Sequence, residues 1–122
     1  MTKTILTIDD SASIRQLVSL TLTAAGHKVI EAGNGLQGYE KAISETVHAV
    51  ITDLNMPVMN GIEFIKRFRT HPASKGVPII LLTTESDDTL KAEAKEAGAT
   101  GWIVKPFKQE QLVAVVKKVT GL

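Results

Sequence analysis

Ala49-Val50-Ile51-Thr52-Asp53 is the stretch on which the reading of this chain turns: four β-prone, largely apolar residues that run into a carboxylate. A strand without a polar face is buried on both sides, the condition of an inner strand in a parallel sheet. Residues 5–8 and 79–83 have the same character, and residues 29–30 and 103–104 are shorter pieces of the same kind.

Segments of helical spacing lie between these runs. Ile14, Leu17, Val18, Leu22 and Ala25 form one apolar stripe, closed by Gly26 just past the helix end. Leu36, Tyr39 and Ile43 form a second, and Gly61, Phe64, Ile65 and Phe68 a third. The fourth, around Leu90, Ala94 and Ala97, is thin and alanine-rich, which predicts a loosely held, exposed helix. Leu112, Val115, Val116 and Val119 give the fifth, with Lys117 and Lys118 at its carboxyl end, where the helix dipole favours cations. Five strand–helix repeats with short loops predict an α/β fold. The expected architecture is a single doubly wound (βα)5 flavodoxin-like domain over residues 1–122, with a parallel five-stranded sheet of order 2-1-3-4-5.

Composition narrows the function classes. The 122 residues are 43% hydrophobic and 22% charged, close to a soluble globular average, which argues against disorder. The absence of cysteine removes disulfide scaffolds, thiolate metal sites and cysteine nucleophiles together. A net charge of +1 gives no electrostatic footprint for nucleic acid. The longest strongly apolar run, residues 77–82, contains Pro78 and falls far short of the roughly 18 residues of a membrane span. The apolar run near the N-terminus is too short for a signal peptide, so a cytoplasmic protein with no membrane partner is expected.

In an open α/β sheet, ligands sit beyond the carboxyl ends of the strands, where the strand order reverses. The first strand is followed by Asp9-Asp10 and the third by Asp53-Leu54-Asn55-Met56-Pro57; the fourth ends in Thr83-Thr84 and the fifth in Lys105-Pro106-Phe107. The predicted order brings three carboxylates, a hydroxyl and an ammonium into one cleft. Two carboxylates ~4 Å apart repel by about 4 kcal/mol at an effective dielectric of 20. A hard divalent cation with oxygen ligands removes that cost, and Mg²⁺ suits carboxylate, carbonyl and water. Asp53 is then able to attack a phosphoryl group, with Lys105 and the Thr83 hydroxyl placed for the transferred oxygens.

Each residue alone has a plainer explanation. Asp10 and Ser11 suit a helix cap, Asp53 a turn, Thr83 a strand and Lys105 the surface. Independent accidents explain poorly why all of them fall at carboxyl ends of adjacent strands. His27, His48 and His71 are scattered and read as structural. A competing motif is the literal G-x-G-x-x-G of Gly33, Gly35 and Gly38, with Asp53 20 residues after Gly33. As an alternative it implies a flavodoxin-like or dinucleotide-binding module. Yet its preceding strand is short and charged at both ends, and Asp9, Asp10, Thr83 and Lys105 would have no role.

Asp9-Asp10, Asp53 with Met56-Pro57 and Gly61, Thr83, and Lys105-Pro106-Phe107 together resemble the bacterial two-component response-regulator receiver family, across essentially the whole chain. The stand-alone chemotaxis type is the nearest likeness, since no output domain follows the fifth helix. The resemblance implies a phosphorylation-activated switch that catalyses only its own phosphorylation and dephosphorylation. It implies Asp53 as phosphoacceptor and Mg²⁺ held by Asp10, Asp53 and the Asn55 backbone carbonyl, with Asp9 acting through water. Lys105, Thr83 and Thr84 would bind the phosphoryl group, and the Lys105–Pro106 peptide would be cis. Thr83 and Trp102 would form the switch, Trp102 standing where Tyr or Phe is usual. Asn55 and Glu85 would tune dephosphorylation. The implied partners are a chemotaxis-type histidine kinase as phosphodonor and a downstream protein, such as the flagellar motor switch or a phosphatase. The protein would act as a monomer, through a face formed by the fourth helix, fifth strand and fifth helix.

Overall fold

The computed structural model describes residues 2–121. Five strands, β1 (Thr4–Ile8), β2 (Lys28–Ala32), β3 (Ala49–Thr52), β4 (Ile79–Thr83) and β5 (Gly101–Val104), alternate with five α-helices. These are α1 (Ala12–Ala24), α2 (Gly35–Ser44), α3 (Gly61–Arg69), α4 (Asp88–Ala97) and α5 (Gln109–Thr120). All strand pairs are parallel and the order is β2-β1-β3-β4-β5. The doubly wound (βα)5 fold expected from the sequence is the fold observed.

Helix starts follow local capping chemistry. Ser11, Asn34, Asn60 and Asp87 each accept a backbone N–H in the first turn of α1, α2, α3 and α4. Asn60 and Glu63 close a reciprocal capping box. Gly26, at φ 96, ends α1 in the left-handed conformation that its place in the sequence predicts.

Each face of the sheet carries its own core. One packs Ile5, Ala49, Ile51, Ile80 and Leu82 against α1 and α5, through Val18, Leu22, Leu112 and Val116. The other packs Leu6, Ile8, Val50, Ile79 and Leu81 under α2, α3 and α4. Phe64 and Phe68 are fully buried there and stacked at 5.5 Å, each contributing roughly 2–3 kcal/mol by burial. Of α4, only Ala94 is buried, in keeping with its thin apolar stripe.

Helix α2 departs from its sequence reading. Leu36 and Ile43 are exposed and Tyr39 is half-buried, whereas Gly35, Gly38 and Ala42 face the core. Gly38 is the reason: a Cβ there would stand 2.3 Å from Ile8 Cδ1. The helix backbone lies against the sheet through its smallest residues, and the large apolar ones flank the contact.

Candidate functional site

Backbone ladders run one step past the strands and fix the level at which the candidate residues emerge. Asp9 donates its N–H to Ala32 O at 3.1 Å, Asp53 to Ile8 O at 2.9 Å, and Lys105 to Thr83 O at 2.8 Å. Asp9, Asp53 and Lys105 thus leave β1, β3 and β5 together at the carboxyl edge.

Asp9 is 2% exposed, yet both of its carboxylate oxygens are engaged. Ser11 N–H donates to Oδ1 at 2.9 Å and Lys105 Nζ to Oδ2 at 2.8 Å. Burial pushes the Asp9 carboxyl above the usual carboxylate range, and its hydrogen bonds only partly restore it. Burial opposes the charge on Lys105 as well. There the hydrogen bond to Asp9 and the charges of Asp53 and Asp9 win, holding the ammonium above its ordinary range.

The Asp53 side chain is 12% exposed; its Oδ1 accepts from Leu54 N–H at 2.7 Å and its Oδ2 lies 3.3 Å from Lys105 Nζ. Asp10 is exposed at the mouth, and Ser11 rather than Asp10 caps α1. Asp9, Asp10 and Asp53 each offer a carboxylate oxygen within 4.8 Å of the others. Three carboxylates against one ammonium leave two formal negative charges, and every donor is oxygen. That donor set fits a hard divalent cation such as Mg²⁺.

The loop after Asp53 is set by close contacts. Gly61 donates to Leu54 O at 2.8 Å, and a Cβ on it would meet Asp53 O at 2.3 Å, so glycine is required. Val58 adopts φ 69, with Met59 N–H donating to Pro57 O at 2.7 Å. A β-branched residue at positive φ costs about 1–3 kcal/mol, and nothing in the sequence signals it. Asn55 Nδ2 donates to Glu85 Oε1 at 3.1 Å, joining the loops that follow β3 and β4.

Thr83 is fully buried at the end of β4; its hydroxyl accepts Glu85 N–H at 3.3 Å, while Thr84 is exposed. Glu85 O in turn accepts the indole N–H of Trp102 at 2.9 Å. The peptide groups on either side of one residue therefore connect the buried threonine with the half-buried tryptophan of β5. The Lys105–Pro106 peptide is cis.

The glycine motif is occupied by its own protein. Gly33 N–H donates to Gln37 Oε1 at 3.0 Å, Gly35 N–H to Met59 O at 3.1 Å, and a Cβ on Gly35 would clash with that oxygen at 2.3 Å. The amides that a pyrophosphate would need are already engaged, and the turn follows β2, the edge strand. This geometry argues against the dinucleotide alternative.

Comparison with known proteins gives one consistent outcome. The response regulator receiver domain family matches residues 5–117. A chemotaxis protein CheY homolog of Campylobacter jejuni is 38% identical over 119 residues, covering 96% of this chain and 92% of that protein. Chemotaxis protein CheY4 of Vibrio cholerae superposes with a TM-score of 0.93 at 44% identity, over 98% of this chain and 99% of that one. The receiver domain of a sensor histidine kinase from Pseudomonas aeruginosa shares the fold, with a TM-score of 0.91 at 24% identity over the whole of both chains. That structure holds a magnesium ion coordinated in its active-site cleft.

Proposed function

The chain belongs to the response regulator receiver family, and from that premise we propose that it is a switch phosphorylated on Asp53 by a chemotaxis-type histidine kinase. The carrying observation is the convergence of Asp9, Asp10 and Asp53 within 4.8 Å, with the Lys105 ammonium on two of them.

A carboxylate oxygen of Asp53 attacks the donor phosphorus as the phosphorus–nitrogen bond of phosphohistidine breaks. The leaving imidazole nitrogen keeps the bonding pair and takes up a proton, and an acyl phosphate forms on Asp53. Mg²⁺, held by Asp10, Asp53 and the Asn55 backbone carbonyl with Asp9 reached through water, would offset the charge of the phosphoryl oxygens. Lys105 needs little movement to follow a phosphoryl group built on the oxygen 3.3 Å away. The Thr83 hydroxyl accepts from Glu85, so its own proton is free for a phosphoryl oxygen, and exposed Thr84 lies beside it. A shift of Thr83 moves Glu85, and with it the partner of the Trp102 indole. The face of α4, β5 and α5 then changes for a downstream partner, such as a flagellar motor switch or a phosphatase. The Asn55–Glu85 contact governs how water reaches the acyl phosphate, and thereby its lifetime.

The test is incubation with Mg²⁺ and acetyl phosphate, reduction of the acyl phosphate with borohydride, and peptide mapping by mass. Reduction should fall on residue 53 and be absent from Asp53→Asn. Stoichiometric labelling of that variant at the native rate would overturn the assignment.

A further inference from the structure

Arg15, which closes the first turn of α1, reaches back across the β1–α1 turn. Its Nη1 donates to the backbone carbonyl of Asp9 at 2.5 Å, and its Nε pairs with Glu31 Oε1 of β2 at 3.3 Å. With the Asp9 N–H given to Ala32 O, the backbone of Asp9 is fastened on both sides. The carbonyl of Asp9 and the Cα of Asp10 share one rigid peptide plane. Fixing that carbonyl therefore fixes where the Asp10 side chain starts. Asp10 needs such help, because it is exposed and its carboxylate has no hydrogen bond among the described residues.

The surroundings hold Arg15 in turn. A Cβ on Gly33 would lie 3.7 Å from Arg15 Nη1, so the glycine turn after β2 stands over the guanidinium. Lys41 Nζ donates to the carbonyl of Glu31 and ties α2 to the same corner. The Arg15–Glu31 pair is a half-exposed surface contact, with side chains 22% and 45% exposed, and carries little stability by itself. Its consequence lies in orientation and in offsetting a positive charge close to a cation site.

We propose that Arg15 is a positioning residue for the divalent-cation site: through the Asp9 carbonyl it presents the Asp10 carboxylate to the ion, with Glu31 holding the guanidinium in place. The inference rests on the reading of Asp10 as a metal ligand. Two effects of Arg15 oppose each other. Simple repulsion between guanidinium and dication predicts that its removal tightens Mg²⁺ binding. Orientation predicts that removal weakens it. The guanidinium is neutralised by Glu31 and its shortest bond goes to the Asp9 carbonyl, so orientation should win.

Isothermal titration of Mg²⁺ into the wild type, Arg15→Met, Arg15→Lys and Asp10→Ala decides the matter, with the metal-free unfolding midpoint of each measured alongside. Arg15→Met should weaken Mg²⁺ by about tenfold, the scale of removing an outer partner of a metal ligand. Arg15→Lys, which keeps one donor, should recover part of the loss. A residue of purely structural role would lower the metal-free midpoint and leave the Mg²⁺ dissociation constant alone. Wild-type or tighter Mg²⁺ binding in Arg15→Met, with Asp10→Ala deficient, overturns the positioning role and leaves the metal site standing. Wild-type binding in Asp10→Ala overturns both.

Discussion

The Lys105 ammonium lies 2.8 Å from the Asp9 carboxylate, between side chains only 12% and 4% exposed. This pair, more than the longer contact to Asp53, neutralises the most deeply buried charge of the cleft. A cation bound at the proposed site would therefore compete with a lysine already in residence, the two sharing three carboxylates.

Replacing Lys105 with Met should accordingly have opposite effects on stability and on metal binding. Removing one partner of a buried pair strands the other, at a cost of about 3 kcal/mol in the metal-free protein. Mg²⁺ binding should become tighter, because the carboxylates then lack any other cation. Chemical denaturation with and without Mg²⁺ checks both signs. A variant that unfolds like the wild type without metal would show that the Asp9 charge is carried by Ser11 and solvent instead.

The glycine turn gives a prediction that separates packing from ligand binding. Gly38→Ala places a methyl 2.3 Å from Ile8 Cδ1, and Gly35→Ala places one 2.3 Å from Met59 O. Overpacking of this kind costs about 1–3 kcal/mol. Gly38 meets a side-chain end that can turn aside, whereas Gly35 meets backbone. Gly35→Ala should therefore be the more damaging, and it should also disturb the loop that carries Asn55. Denaturant midpoints for the two variants give the order. Equal stability to wild type in Gly35→Ala would contradict the close approach of α2 to that loop.

How far the sequence discloses this molecule depends on where each residue sits in the sheet. The inner strands β3 and β4 are apolar on both faces and are legible to the residue, as residues 49–52 and 79–83. The edge strands are not. β2 runs from Lys28 to Ala32, so the exposed charged residues Lys28 and Glu31 interrupt its apolar pattern, and β5 begins at Gly101 and Trp102, neither β-branched. The acidic residues and Lys105 are legible because they follow strands, and strand order alone brings them together. Arg15 is not, since an arginine on an exposed helix gives no sign of bending back to a carbonyl. Leu36 and Ile43 mislead because Gly38 decides which side of α2 meets the sheet.

His27 gives the pH dependence. It is 7% exposed, its Nδ1 has no hydrogen-bond partner among the described residues, and burial holds its pKa below the ordinary value of 6.5. The unfolded chain therefore binds the proton more readily than the folded one. Stability contributed by neutral His27 is present above about pH 6.5 and is lost progressively as pH falls below it. Urea midpoints between pH 7.5 and pH 5.5 should decline, and His27→Leu should flatten that slope. A His27→Leu protein with the wild-type slope would assign the effect elsewhere.

Trp102 is placed to report the proposed coupling between site and surface. Leu54, not an aromatic residue, follows the proposed phosphoacceptor, so no indole stands beside the proposed metal ligands. The indole lies instead on β5, its N–H on Glu85 O at 2.9 Å and Lys91 Nζ 6.0 Å from the ring centroid. Glu85 N–H meets the Thr83 hydroxyl, so one short segment links that hydroxyl to the indole. Mg²⁺ alone should change the emission weakly, and phosphorylation by acetyl phosphate strongly. Thr83→Ala should still accept the phosphoryl group and show a much smaller change. A phosphoryl group biases two states only by contacts that differ between them, and that hydroxyl is the proposed contact. Fluorescence read beside the mass of the borohydride-reduced protein separates occupancy from response. A full response in phosphorylated Thr83→Ala would remove the threonine from the route. An unchanged emission in fully phosphorylated wild type would mean that the bond between Trp102 and Glu85 survives activation, leaving Asp53 as acceptor and the indole as a fixed part of β5.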